Sequence, residues 1–297
     1  MKILIGYDGS HGSEAIFADL ALAGLPKTGE GMVVAVAEVW PQPKSYWMAD
    51  LPVSEDTKVR EVAKRGADQL KLALPGWQIG HEPRAASSAA LAIVKQADEW
   101  HPDLIVVGSR GRSAFVRGLL GSVAQQVISA ARCSVRVARE SQKRTGNGVR
   151  LLVGLDGSPD SEAAVRAVAA RSWPQRSEVR LVTAAGLFTD VPPGLDGMHG
   201  IFVPVAPQQR DEMLAQAKAW QDAAAKTLRA AGLTVSAVTK DDDPKRALIA
   251  EAESLGADCI VVGSTGMTRF ERFLLGSVST AVATRAHCSV EIVRSGK

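Results

Sequence analysis

Residues 104–123 read Leu104-Ile-Val-Val-Gly108-Ser-Arg110-Gly111-Arg112-Ser-Ala-Phe-Val-Arg117-Gly-Leu-Leu-Gly121-Ser122-Val123. Four β-forming residues run into Gly108, and Gly111 follows after two residues. After nine intervening residues come Gly121 and Ser122, and then a helical pattern over Val123 to Ala131. A buried strand therefore ends in a glycine loop, and a helix opens at a Gly-Ser. Glycine lets backbone come close to a ligand and adopt positive φ. The first N–H groups of a helix have no partner inside it and point at whatever lies beyond the helix end. The stretch predicts an anion cradle. It recurs at Ile260-Val-Val-Gly263-Ser-Thr265-Gly266, nine residues, Gly276-Ser277-Val278.

The recurrence extends along the chain. Tyr7-Asp8-Gly9-Ser10-His-Gly-Ser13-Glu14-Ala15 matches Leu155-Asp156-Gly157-Ser158-Pro-Asp-Ser161-Glu162-Ala163, an offset of 148 from Asp8 to Asp156. From Gly108 to Gly263, and from Cys133-Ser-Val to Cys288-Ser-Val, the offset is 155, so the second copy is about seven residues longer ahead of its loop. A repeat of this kind is a duplication of one folding unit. The polar, Gly-containing stretch 141–148 reads as a linker between residues 1–140 and 149–297.

Within the first copy, β runs are expected at Lys2 to Gly6, Met32 to Val39, Trp77 to Arg84, Leu104 to Val107 and Ser134 to Ala138. Helices are expected over Glu14 to Leu25, capped by Ser10 or Ser13, and over Glu55 to Leu74, Ser88 to Trp100 and Val123 to Ala131. In the second copy the strands fall at Leu151 to Leu155, Val179 to Ala184, Thr234 to Thr239, Cys259 to Val262 and Ser289 to Val293. Strands alternating with helices call for a parallel sheet with helices on both faces, and short uninterrupted apolar strands fit burial on both sides. The fold class is α/β, with two tandem doubly wound domains. In such a sheet the ligand sits beyond the C-terminal strand ends, where the strand order reverses. Asp8 and Asp156 end the first strand of each copy, and Gly108 and Gly263 end the fourth, so carboxylate and loop are expected to face one crevice. A carboxylate there can accept a hydrogen bond from a ribose hydroxyl or a base amino group.

Energetics favour a long loop over a bare helix end. A helix end contributes only about 0.3–1 kcal/mol to an anion, each hydrogen bond to a charged group about 1.5–3 kcal/mol, and micromolar binding needs about 8 kcal/mol. Several donors must converge. Arg110, Arg112 and Arg117 lie in the first loop, where the second has Thr265, Met267 and Arg272, with Arg269 nearby. Arginine forks clamp phosphates, so the two sites are expected to differ in affinity. The Pro- and Gly-bearing stretches Trp40 to Val53 and Ala185 to Gln209 are lids or surface connections.

Other classes lack their signatures. No Lys precedes Ser122 or Ser277, as a P-loop requires, and no Gly-x-Gly-x-x-Gly follows the first strand. There is no nucleophile elbow, no metal spacing among the five His, and no CxxC among Cys133, Cys259 and Cys288. The cysteines read as reduced thiols. A net charge of +3, with only two Tyr and no basic stripe, gives nucleic-acid binding no support. No apolar run reaches membrane-spanning length, and the acid at Asp8 comes too early for a signal peptide. A cytoplasmic protein is expected, and no catalytic set can be assembled.

These residues resemble the universal stress protein family over nearly the whole chain. Its ATP-binding signature, Gly-x-x-Gly, nine residues, Gly-Ser/Thr, matches Gly108, Gly111, Gly121, Ser122 and Gly263, Gly266, Gly276, Ser277. Its Asp after the first strand matches Asp8 and Asp156. The resemblance implies a five-stranded parallel sheet of adenine-nucleotide α-hydrolase type in each domain, in order 3-2-1-4-5. It implies ATP as the cofactor, often with Mg²⁺ or Mn²⁺. Asp8 and Asp156 would contact the nucleoside, and Val39 or Ala184 the base. The glycine loops, with Ser122 and Ser277, would hold phosphates; from their places in and after the loops, Val123 and Val278 join them as candidate cofactor-binding residues, and Arg110 either clamps a phosphate or is a solvated loop charge. The last strands of the two domains would pair within the chain, and a further homodimer is compatible with this. Ser134 and Ser289 depart from the family, which often has Pro there. Three functions stay open: an ATP-binding stress or signalling protein, a slow ATPase, and an interaction module with empty sites.

Overall fold

The computed structural model describes residues 1–39, 53–111, 120–140, 148–184, 188–189, 203–204, 207–266 and 275–295. The loop residues Arg112, Arg117, Met267, Arg269 and Arg272, the linker up to residue 147 and most of the two stretches after the second strands lie outside them.

The first half runs β1 (Lys2–Gly6), α1 (His11–Leu20), β2 (Gly29–Glu38), α2 (Val53–Ala73), β3 (Trp77–Ala86), α3 (Ala89–Trp100), β4 (Leu104–Gly108), α4 (Ser122–Ala130) and β5 (Ser134–Ala138). The second half repeats it: β6 (Arg150–Gly154), α5 (Pro159–Ala169), β7 (Glu178–Ala184), α6 (Pro207–Ala230), β10 (Thr234–Lys240), α7 (Pro244–Leu255), β11 (Cys259–Gly263), α8 (Ser277–Arg285) and β12 (Ser289–Val293). A short antiparallel pair, β8 (Phe188–Thr189) and β9 (Val203–Pro204), is added between β7 and α6.

Each half forms a parallel sheet, in order β3-β2-β1-β4-β5 and β10-β7-β6-β11-β12, so the expected 3-2-1-4-5 order holds in both. The order reverses between β1 and β4, and again between β6 and β11, which opens a crevice at those strand ends. The two sheets are continuous. β5 and β12 lie antiparallel, with Val135 opposite Ile292, Arg136 opposite Glu291 and Val137 opposite Val290.

The uninterrupted apolar strands are buried on both faces. Ile3, Leu4 and Ile5 are fully buried, as are Leu151, Leu152 and Val153. Leu4, Ile105 and Val107 pack under α3 and α4, while Ile3, Ile5 and Val106 pack against Ile16, Leu20 and Leu70 on the other side. The α3/α4 layer runs unbroken into the second half, through Val135 and Val290 to Leu152 and Val282. On the opposite face each half has a core of its own.

Strand boundaries match the expected ones within a few residues. Helix α1 does not: it ends at Leu20 rather than Leu25. Gly24 takes φ +62°, and Trp173 of the second half lies so close that a Cβ on Gly24 would be 2.8 Å from its ring. Ser172 donates its N–H to the Gly24 carbonyl at 2.9 Å. A tertiary contact, not helix propensity, stops the helix.

Candidate functional site

The turn after the first strand is built alike in both halves. Gly9 and Gly157 adopt φ of +73° and +78°, a conformation that side chains resist. Ser10 and Ser158 cap the helices that follow, accepting from the N–H groups of Ser13 and Ser161. The aspartate before the glycine is held by its own turn: Ser10 N donates to Asp8 Oδ1 at 2.9 Å, and Ser158 N and Oγ donate to Asp156 Oδ1 at 3.0 and 2.6 Å. Each carboxylate thus keeps Oδ2 for the crevice.

The glycine loop comes to meet that oxygen. A Cβ on Gly111 would stand 3.1 Å from Asp8 Oδ2, and one on Gly266 would stand 2.9 Å from Asp156 Oδ2. Carboxylate and loop face each other in both halves, as the topology required. The loop ends are tied together: Gly121 N donates to Ser109 O, and Gly276 N to Ser264 O, each at 2.8 Å. Gly108 and Gly263 pack on the first turn of α1 and α5, where a Cβ would lie 2.5 Å from Gly12 O and 2.7 Å from the Asp160 carbonyl carbon.

Helices α4 and α8 begin at Gly121 and Gly276, and neither end has a side-chain cap. Ser122 and Ser277, the first helical residues, are exposed, while Val123 and Val278 are half-buried. The first-turn N–H groups are thus available to an anion. In the second half these parts enclose a cavity of about 280 Å³, lined by Asp156, Gly263, Thr265, Gly266, Gly276, Ser277 and Val278 together with Val182, Ala184 and Leu248. Its apolar side and polar rim suit a ligand with a flat apolar body and a charged tail.

Ala184 lines that cavity, but Val39 is not its counterpart. β7 pairs Val182 with Gly154, and β2 pairs Val34 with Gly6, so the residue two beyond in each case is Ala184 and Val36. Val39 lies farther along, its N–H bonded to Ala86 O at 2.9 Å. Backbone register distinguishes Val36 from Val39; a strand end read from composition does not.

The two sites differ around this shared frame. Over Gly9 lies Arg65 of α2, donating to Gly9 O at 3.2 Å and to Tyr7 Oη at 3.0 and 3.1 Å; Tyr7 in turn donates to Glu14. Burial, together with Glu14, raises the Tyr7 phenol above its ordinary range. Over Gly157 stands Trp220 of α6 instead. Arg110 is half-buried, and its carbonyl abuts Gly12, where a Cβ would be 2.3 Å away.

Gly12 corresponds to Asp160, whose role sequence reading missed. Asp160 is buried and accepts from Ser264 Oγ, from Thr265 N at 3.0 Å and Oγ1 at 2.8 Å, and from Ser295 N at 3.2 Å and Oγ. Burial opposes its charge, but the hydroxyls of Ser264, Ser295 and Thr265 prevail and hold its carboxyl below the ordinary range. It ties the second glycine loop to the end of β12. The only signal in the sequence was an acid in the first turn of α5, which reads as ordinary helix-dipole complementarity.

Among the described residues no group of three or more His, Cys, Asp or Glu has metal-holding geometry. A magnesium-like ion here would draw its oxygens mainly from ligand phosphates and water, with a hydroxyl or carboxylate at the rim, which is common for Mg²⁺. The cysteines are free thiols. Burial pushes Cys133 and Cys288 up to about 11 and Cys259 up to about 12.

A model of the universal stress protein family matches residues 1–139 and again 149–294. The chain belongs to the universal stress protein family. Universal stress protein Rv2005c of Mycobacterium tuberculosis H37Rv is 31% identical over 309 residues, covering 98% of this chain and 96% of that protein. A universal stress protein of Mycolicibacterium smegmatis is 29% identical over 307 residues, with the same coverage. The crystal structure of a universal stress protein from Archaeoglobus fulgidus covers 100% of this chain and 97% of its own at a TM-score of 0.64 and 20% identity, a likeness of fold. Among the described residues no helix is long and apolar enough to cross a membrane.

Proposed function

We propose that this universal stress protein binds adenine nucleotide, ATP in the first instance, and works as a cytoplasmic stress-response or signalling protein through binding rather than turnover. The nucleoside lies against Asp156, with the base beside Ala184 and the phosphates on the Gly263–Gly266 loop and the α8 N-terminus. The first half offers the same arrangement at Asp8, Gly108, Gly111 and Gly121 to Val123. The observation that carries this reading is the approach of a glycine to the free carboxylate oxygen, Gly111 to Asp8 and Gly266 to Asp156, beside an uncapped helix end. A side chain at either glycine would fill the space that the ligand needs. Mg²⁺ or Mn²⁺ would enter with the phosphates and supply charge neutralisation.

The test is to denature the purified protein and identify the nucleotide released, then to titrate ATP into the wild type and into Gly121→Val and Gly276→Val by calorimetry. Released ATP, and loss of one binding event in each variant, support the reading. ADP or AMP indicates turnover instead. Unaltered ATP binding in both variants removes the site. A Cβ on Gly276 would lie 3.1 Å from Ser264 O and from Ser279 Oγ, so this substitution acts on the loop itself.

A further inference from the structure

The face of the sheet that has two separate cores is bridged, where the halves meet, by charge. Arg136 of β5 is 1% exposed and grips Asp19 of α1 with two bonds, Nε to Oδ2 at 2.6 Å and Nη2 to Oδ1 at 2.8 Å. Its remaining nitrogen, Nη1, reaches across to Glu291 Oε2 of β12 at 3.1 Å. Glu291, also 1% exposed, is held from its other side by Arg171, which donates to both carboxylate oxygens and to Ala23 O of the first half at 3.2 Å.

Arg136 and Glu291 are equivalent positions of the repeat, opposite one another across the strand pair. Their supports are not equivalent. The counterpart of Asp19 is Ala167, and the counterpart of Arg171 is Ala23. Neighbouring contacts are the same in both directions: Arg139 N donates to Ser289 Oγ at 3.0 Å, and Arg294 N to Ser134 Oγ at 3.2 Å. Likewise Arg139 bonds the Ala283 carbonyl, and Arg294 the equivalent Ile128 carbonyl. These symmetric bonds would form in any pairing of such edges. They also give Ser134 and Ser289 a use, because the hydroxyls accept across the junction.

The charged groups distinguish one edge from the other. Two β5 edges in this geometry would set Arg136 against a second Arg136, with a buried donor left unmatched. Two β12 edges would set Glu291 against a second Glu291, and Arg171 would find another Arg171 where Ala23 O now accepts. Net charge is zero in every case, so the discrimination is directional: like charges directly opposite destabilise a strand pair, and buried groups without partners are costly.

We propose that Arg136 and Glu291 make this junction selective, so that a β5 edge takes a β12 edge and rejects another β5, and a β12 edge rejects another β12. The partner that the surface fits is the other half of this protein, in the same chain or in a second copy that exchanges halves.

The experiment uses the full-length chain carrying R136E or E291R. In the first variant the introduced carboxylate faces Glu291 and Asp19. In the second the introduced guanidinium faces Arg136 and Arg171. Each alone is expected to lose amide protection at Val135, Val137, Val290 and Ile292 by roughly a hundredfold to a few thousandfold, the scale of a broken buried pair. Mixed, they are expected to form a two-chain complex, seen as a doubled mass by light scattering, because the intact β5 of the E291R chain meets the intact β12 of the R136E chain. Protection unchanged in either variant, or self-association of a single variant equal to that of the mixture, overturns the proposal. Should charge reversal prevent folding, E291Q keeps the shape and removes the charge. Its exchange at Val290 and Ile292 should rise about tenfold with circular dichroism unaltered, and unaltered exchange would again overturn the proposal.

Discussion

Asp160 shows what one residue does in the second half that its counterpart Gly12 does not do in the first. It gathers Ser264, Thr265 and Ser295 at one carboxylate, so the loop is set before any ligand arrives. D160N turns one acceptor oxygen into a donor among donors, and leaving a buried group unsatisfied costs about 1–3 kcal/mol. Urea denaturation should report a loss of that size. The pH dependence has a definite sign. The carboxyl is held below its ordinary range in the folded chain, so its contribution is complete above the unfolded value of about 3.9 and disappears as pH falls through the lower, folded value. The wild type should therefore lose stability below about pH 4 more steeply than D160N does, which thermal melts across that range will show.

At the scale of an element, the decisive parts are helix beginnings. Ser158 caps α5 and also donates to Asp156, so one side chain sets both the helix start and the carboxylate beside the crevice. Ser158→Ala should cost about 1 kcal/mol, within a usual range of about 0.5–2 for a lost cap, and leave Asp156 held by the backbone N–H of residue 158 alone, as Asp8 is held by that of Ser10. Denaturant midpoints check the first effect and ATP titration the second. Helices α4 and α8 present the contrast, since their glycine starts carry no capping side chain. These starts were legible from sequence because Gly-Ser before an apolar period is a local signal. The end of α1 was not, because Trp173 and Ser172 act on Gly24 from 148 or more residues away in sequence.

At the scale of the molecule, ten strands form one sheet, and the junction of β5 with β12 is covered on one face by shared core and on the other by the Asp19–Arg136–Glu291–Arg171 chain. Burial disfavours the charge of Glu291, but Arg171 and Arg136 hold its carboxyl below the ordinary range. Removing one member leaves another buried without its partner, which costs about 3–5 kcal/mol. R171M should therefore lower stability by that amount, and the halves should unfold in two calorimetric transitions where the wild type shows one. A single transition of undiminished midpoint would assign the coupling to the apolar layer alone.

The duplication, the α/β class and the pairing of each aspartate with a glycine loop were legible in the chain of residues alone, and the strand order followed from the family resemblance. The first three rest on apolar runs, turn glycines, caps and a repeated spacing. The folded chain was needed to show that Val36 rather than Val39 matches Ala184, that Asp160 holds one loop and not the other, and that Arg136 comes to lie opposite Glu291. The physical reason is common to these cases. Register between strands and contacts between halves join residues far apart in the chain, and no local pattern of residue types encodes which of them will face one another.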